Sequence, residues 1–298
     1  MTAFDRKLTE RSALLAGYLS EFSVEVTSRD TPSVEAAKQL LPAGTEVFVA
    51  NLPKETADVL IRAARALRDA GLSPVPHIVA RNIASLGDLE SMVARLAGEA
   101  GVERALVLGG DRDHPAGTFD SALQLIRTGV FERNGIRRIA IASYPEGHPR
   151  IADEVLATAL VEKLAAAADA GLDVMLVSQL AFDPDPIVAL ARGLRERGID
   201  APLRVGVAGP AERGKLIKFA LRCGVGASLR VLRERSDVAR SVMSGETPDE
   251  LIAGVAAAAR AEPELGLAGA HFFTFGDPAS SIRWVDAIRT GARESQPA

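Results

Sequence analysis

Cysteine is almost missing from this chain: Cys223 is the only one in 298 residues. An intrachain disulfide is therefore excluded, as is a thiolate metal cluster built within one subunit. A surplus of basic charge is missing too. The formal charge is −4 and the Arg-rich helical segments carry mixed signs, so there is no cationic stripe for a nucleic-acid backbone. No apolar run approaches the roughly 18 residues of a membrane span, and Asp5, Arg6, Lys7 and Glu10 make the start unlike a secretory signal. The expectation is a protein of the cytoplasm with no membrane and no nucleic-acid partner. Catalytic signatures are absent as well. No strand is followed by Gly-x-Gly-x-x-Gly, there is no His-Glu-x-x-His or His-x-His pair, and no Gly-x-Ser-x-Gly. Lys7, Lys38, Lys54, Lys163, Lys215 and Lys218 all fall on helical patterns, which leaves no strand-end lysine for a Schiff base.

What is present is a core-forming composition, 47% hydrophobic and 25% charged, and a regular alternation of elements. A helix over residues 5–21 precedes the strand FSVEV. Thr31-Pro32 then opens a helix that closes at Pro42 and Gly44. Strand Glu46–Leu52, helix Lys54–Ala70, strand Pro74–Ala80 and helix Leu86–Ala100 follow. Strand Arg104–Gly109 leads to a short helix near 119–129, and strand Arg138–Ser143 to the Ala-rich helix 150–170. The alternation continues with strand Asp173–Phe182, helix Pro186–Arg197, strand Leu203–Ala208 and helix Ala211–Arg222. A purely helical insertion over 225–265 interrupts it before strand Ala268–Phe275, the helix Pro278–Thr290 and a frayed tail at 291–298. The count reaches about eight βα units, the number that closes a (β/α)₈ barrel, and no Pro-, Gly- or Ser-rich linker divides it. A single barrel domain over 1–298 is the expected organisation.

In such a barrel the active site lies at the C-terminal ends of the strands. Polar residues fall there: Glu25 with Ser28-Arg29-Asp30, Asn51, His77 with Arg81-Asn82, Asp111 with Arg112 and His114, Tyr144 with Glu146 and His148, Gln179 and Thr274. Glu25 stands out because Val24 and Val26 flank it, and strand alternation turns it to the opposite face. It is a salt-bridged barrel residue, an exposed edge position or a functional group. His77 reads equally as a core histidine or a ligand, Asn51 and Asn82 equally as turn or cap residues or as site groups, and Arg112 and His114 equally as solvated loop groups or ligands.

The segment ASYPEGHP at 142–149 resembles the methylenetetrahydrofolate reductase family. So, in the family's order, do FSVEV at 22–26, PHIVA at 76–80, GGD at 109–111, VSQLAFD at 177–183 and HFFTF at 271–275. The resemblance implies a (β/α)₈ barrel that reduces 5,10-methylenetetrahydrofolate to 5-methyltetrahydrofolate. NADH or NADPH would be the donor, with hydride passing through FAD or directly. By position it makes Glu25 the general acid of ring opening, a role suited to a partly desolvated carboxyl. Asp111 would stabilise the developing cation and bind the pterin with Gln179 and Phe182, while His77, Gly110, Tyr144 and His148 would line the cofactor. No metal is implied, and a homo-oligomer is left open. The chain departs from the family pattern at Thr27-Ser28-Arg29-Asp30, where two prolines and a basic residue are usual. It departs again at Gly109 in place of arginine, at Ala165–Ala168 in place of a helix lysine, and in VFVANLP, which lacks the family's Thr-Tyr-Gly. The alternatives are a non-catalytic folate-binding subunit and another one-carbon, methyl-transferring barrel enzyme.

Overall fold

The computed structural model describes residues 3–53, 55–211 and 248–291. Its eight strands are β1 (Phe22–Thr27), β2 (Glu46–Ala50), β3 (Ser73–Val79), β4 (Arg104–Leu108), β5 (Arg138–Ser143), β6 (Asp173–Ser178), β7 (Leu203–Ala208) and β8 (Leu267–Phe273). They close into a barrel in sequence order, as the alternation predicts. Between them run α2 (Thr31–Leu40), α3 (Ala57–Asp69), α4 (Leu86–Ala100), α5 (Ala122–Arg127), α6 (Val130–Arg133), α7 (Asp153–Asp169) and α8 (Pro184–Glu196). α1 (Ala3–Tyr18) precedes β1, while α9 (Asp249–Ala261) and α10 (Pro278–Arg289) flank β8. The helix expected at Ala211–Arg222, most of the helical insertion, Cys223 and residues 292–298 of the tail lie outside the described residues.

Local chemistry sets the ends of these elements. Asp30 accepts the Ser33 amide at 3.2 Å and Pro32 occupies the first turn of α2. Ser85 caps α4 through the Asp88 amide at 3.1 Å, and Gly101 ends it in the left-handed conformation. Asp277 caps α10 in the same way as Asp30, through the Ser280 amide.

The residues group into two compact units. One holds Ser23–Ser143 and Arg150–Val177, the other Met1–Phe22, Tyr144–Pro149 and Ser178–Ala298. In the first, Phe48, Val75, Leu106, Ala140, Met175 and Val177 form a buried cluster. Glu46 and Arg104 stand two residues before Phe48 and Leu106, on the same strand face, and pair at 2.7 Å. In the second, α1 packs on α9, α10 and β8. Tyr18 there donates its hydroxyl to the Gly269 carbonyl at 3.0 Å, and Phe272 lies between Phe22 and Trp284 at ring separations of 6.3 and 5.8 Å.

Candidate active site

Glu25 sits where strand alternation sends it. Val24 and Val26 are 0% and 2% exposed, and Glu25 is in register with Phe48, which is in register with Val75. Neighbours in a parallel register share a face, so Glu25 projects to the side of the buried Phe48 cluster. His77, two residues beyond Val75, brings its Nε2 to 3.5 Å from Glu25 Oε2. This is within ion-pair range and long for a hydrogen bond. The His77 and Glu25 side chains are 9% and 21% exposed, and the Phe48 ring meets the His77 ring edge-on at 6.2 Å. Of the readings open for Glu25, the exposed edge position is removed: β1 is paired and its carboxylate faces an imidazole. His77 is at once a packed histidine and a partner of the acid.

Glu55 is a site-supporting group that the sequence reading missed. Its side chain is 1% exposed. Ser28 Oγ donates to Glu55 Oε2 at 2.5 Å and the Leu52 amide donates to the same oxygen at 3.0 Å. Arg29 Nε lies 3.5 Å from Oε1. One buried carboxylate thus ties the loop after β1, three residues beyond Glu25, to the loop after β2. The signal was hidden because the periodicity predicts a helix from Lys54, whereas α3 begins at Ala57 with Thr56 at its N-cap. That leaves Glu55 in the loop.

Asp111 is exposed and follows β4 directly after Gly110. Gly110 has φ +103, and a Cβ there would come within 2.4 Å of Val79 Cγ1. Its place is set by close packing of the loop against β3, which no larger residue permits. His114 is also exposed, and Arg150 reaches Asp113 at 3.5 Å. Among the described residues, three buried polar atoms at strand ends have no hydrogen-bond partner: Asn51 Oδ1 after β2, Asn82 Oδ1 after β3 and Ser143 Oγ at the end of β5. Buried polar atoms are nearly always satisfied, so an ordered water or a polar ligand is the partner these three call for.

In the second unit Tyr144 and His148 come together, their half-buried rings edge-to-face at 5.3 Å. Gln179 does not lie inside a strand. β6 ends at Ser178, and the Gln179 Oε1 accepts the Leu180 amide at 2.9 Å. Extension to Phe182 fails because the chain leaves the ladder there, keeping a single bridge between Ala181 and Val207. Phe182, half-buried, packs with Leu180, Ala208, Phe273 and Phe275. Thr274 likewise follows β8 instead of ending it. Among the described residues no group of three or more His, Cys, Asp or Glu is arranged to hold a metal ion.

The family profile of methylenetetrahydrofolate reductase matches residues 33–226. The chain belongs to the methylenetetrahydrofolate reductase family. The matched span contains His77, Gly110, Asp111, Tyr144, His148, Gln179 and Phe182 but starts after Glu25, whose case rests on the geometry of β1. Two solved structures are similar in fold. Dihydropteroate synthase from Thermus thermophilus is 16% identical, with 90% of this chain and 93% of that chain covered and a TM-score of 0.45. Phosphonopyruvate hydrolase, in complex with oxalate and Mg²⁺, is 10% identical, with 97% and 92% covered and a TM-score of 0.49. Neither protein's activity carries over to this member of the reductase family at that similarity.

Proposed function

We propose that the chain reduces 5,10-methylenetetrahydrofolate to 5-methyltetrahydrofolate with NADH or NADPH in the cytoplasm. The observation that carries this reading is Glu25, turned inward on β1 and set against His77 in a chain of the reductase family. As general acid, Glu25 delivers a proton to the leaving ring nitrogen of the folate. The five-membered ring then opens to an iminium, and hydride addition at its methylene carbon completes the methyl group. Its carboxylate is returned to the acid form by a proton from water, with His77 beside it holding the carboxylate in place. Asp111 stabilises the cationic intermediate and, with Gln179 and Phe182, binds the pterin. The Gln179 amide nitrogen suits a pterin acceptor because its oxygen already takes the Leu180 amide.

Hydride passes through FAD or directly from the nicotinamide: the departures at Thr27-Ser28-Arg29-Asp30, Gly109, Ala165–Ala168 and VFVANLP fall where the family's members would contact FAD. His77, Gly110, Tyr144 and His148 would hold it, and when bound it supplies a two-electron carrier between the nicotinamide and the folate. The test is NADH and NADPH oxidation by the purified chain with methylenetetrahydrofolate, with and without added FAD. Glu25→Gln should lower kcat by about 10²- to 10⁴-fold, the range of general acid catalysis, with little change in folate affinity. Full activity in Glu25→Gln would remove the acid role. No folate-dependent turnover under any cofactor condition would remove the reductase reading.

A further inference from the structure

The loop from Gly109 to Ser121 joins β4 to α5 without secondary structure of its own and carries Asp111. A connection of this length is ordinarily loose. Here it is gripped by one residue of the turn after β3 (Ala80–Asn82). Arg81 Nε donates to the Asp120 carbonyl at 3.1 Å, and its Nη1 donates to the Arg112 carbonyl at 2.7 Å and, at longer range, to the Asp113 carbonyl at 3.4 Å. The Arg81 backbone is engaged as well: its amide donates to the Gly109 carbonyl at 3.0 Å, and its carbonyl accepts the Ala116 amide at 3.0 Å. The loop is therefore held near both ends and in the middle.

Two glycines let it lie this close. Gly110 lies against Val79, and a Cβ on Gly117 would fall 2.0 Å from the Ala84 carbonyl oxygen.

We propose that Arg81 is a positioning residue: by fixing the β4–α5 loop it places the Asp111 carboxylate for folate binding. This rests on the reductase reading, in which Asp111 contacts the pterin. The chemistry calls for arginine in particular. Carbonyl oxygens from separate parts of the loop converge on one planar fork, and charge-assisted bonds to it outweigh neutral ones. A lysine ammonium on a flexible stem cannot meet Asp120 and Arg112 together in this geometry. Asp111 sits between the anchors at Gly109 and Arg112, so both sides of its backbone are set by Arg81. The anchors are backbone carbonyls and one backbone amide, so the grip is independent of which side chains the loop carries.

The experiment compares wild type, Arg81→Lys and Arg81→Ala by three readouts: hydrogen exchange of residues 109–120, tetrahydrofolate binding by calorimetry, and steady-state kinetics. The expected result for Arg81→Lys is faster exchange confined to that loop, and Kd and KM for folate raised about tenfold by loss of charged hydrogen bonds. Its kcat should fall as well, because Asp111 also stabilises the cationic intermediate, while its melting temperature stays near that of wild type. Millimolar guanidinium should restore part of the folate affinity of Arg81→Ala and leave that of the wild type unchanged. Unchanged loop exchange, or faster exchange with unchanged folate binding, overturns the proposal. So does a fall in kcat and stability together without guanidinium rescue, which marks a merely structural arginine. If the wild type shows no folate-dependent NADH or NADPH oxidation, the reductase reading fails, while loop exchange and tetrahydrofolate binding still decide the role of Arg81.

Discussion

Tyr18 shows how a single side chain makes stability depend on pH. Its hydroxyl, donated to the Gly269 carbonyl, is withdrawn from water, and this desolvation raises its pKa above the ordinary phenol value, with the positive charge of Arg204 acting in the opposite direction. The folded state therefore favours the protonated phenol. The contribution is intact below the unfolded-state pKa of about 10 and is lost as pH climbs above it, because the unfolded chain releases the proton first. Tyr18→Phe should cost about 1 kcal/mol at pH 7 through the lost hydrogen bond. The difference from wild type should then shrink as the pH passes about 10. Urea unfolding of both proteins from neutral to strongly alkaline pH checks this, and parallel stability curves throughout would contradict it. Nothing in the sequence marks Tyr18, because its partner is a backbone carbonyl 251 positions away. Glu25 was legible because strand alternation is a local rule and its flanking valines obey it. Glu55 was not, since three groups from two loops converge on it only after the fold has formed.

At the scale of elements, the order of strands and helices followed from periodicity, while ends were lost where the deciding contact was distant. β6 stops at Ser178 because the Ser178 hydroxyl and Gly206 amide bond at 2.7 Å and the chain then turns away, an event no apolar run records. The packing of the β4–α5 loop was hidden in the same way, and two glycines separate the effects. Gly98 is exposed on α4 with nothing within 4 Å of a Cβ, so Gly98→Ala should stabilise by roughly 0.5–1 kcal/mol through helix propensity. Gly117→Ala drives a methyl into the Ala84 carbonyl and should cost about 1–3 kcal/mol, as overpacking does, and weaken folate binding by shifting the loop of Asp111. Denaturant midpoints of the two variants should move in opposite directions. A neutral Gly117→Ala would show that the loop yields at no cost.

For the whole molecule, the matched family span and the folded unit need not coincide. A fragment of residues 33–226 keeps most candidate site residues but lacks β1 and β8. β2 would lose the partner it has from Ser23 to Thr27, and β7 the partner it has along β8. Exposed strand edges recruit other chains, and closure of the barrel is what removes them. The fragment also loses α1, α9 and α10, and with them the Phe22–Phe272–Trp284 stack, in which each large side chain contributes about 1.5–3 kcal/mol when buried. Domain stability is only about 5–15 kcal/mol in total, so these losses together with the two lost strand pairings are of the same size as the whole. The fragment should therefore lack a cooperative melting transition by calorimetry and associate in gel filtration, whereas the full chain melts cooperatively. A monomeric fragment with its own sharp transition would mean that the folding core lies within β2–β7. Glu25, which is outside the matched span, would then sit on a strand added to a core that does not need it.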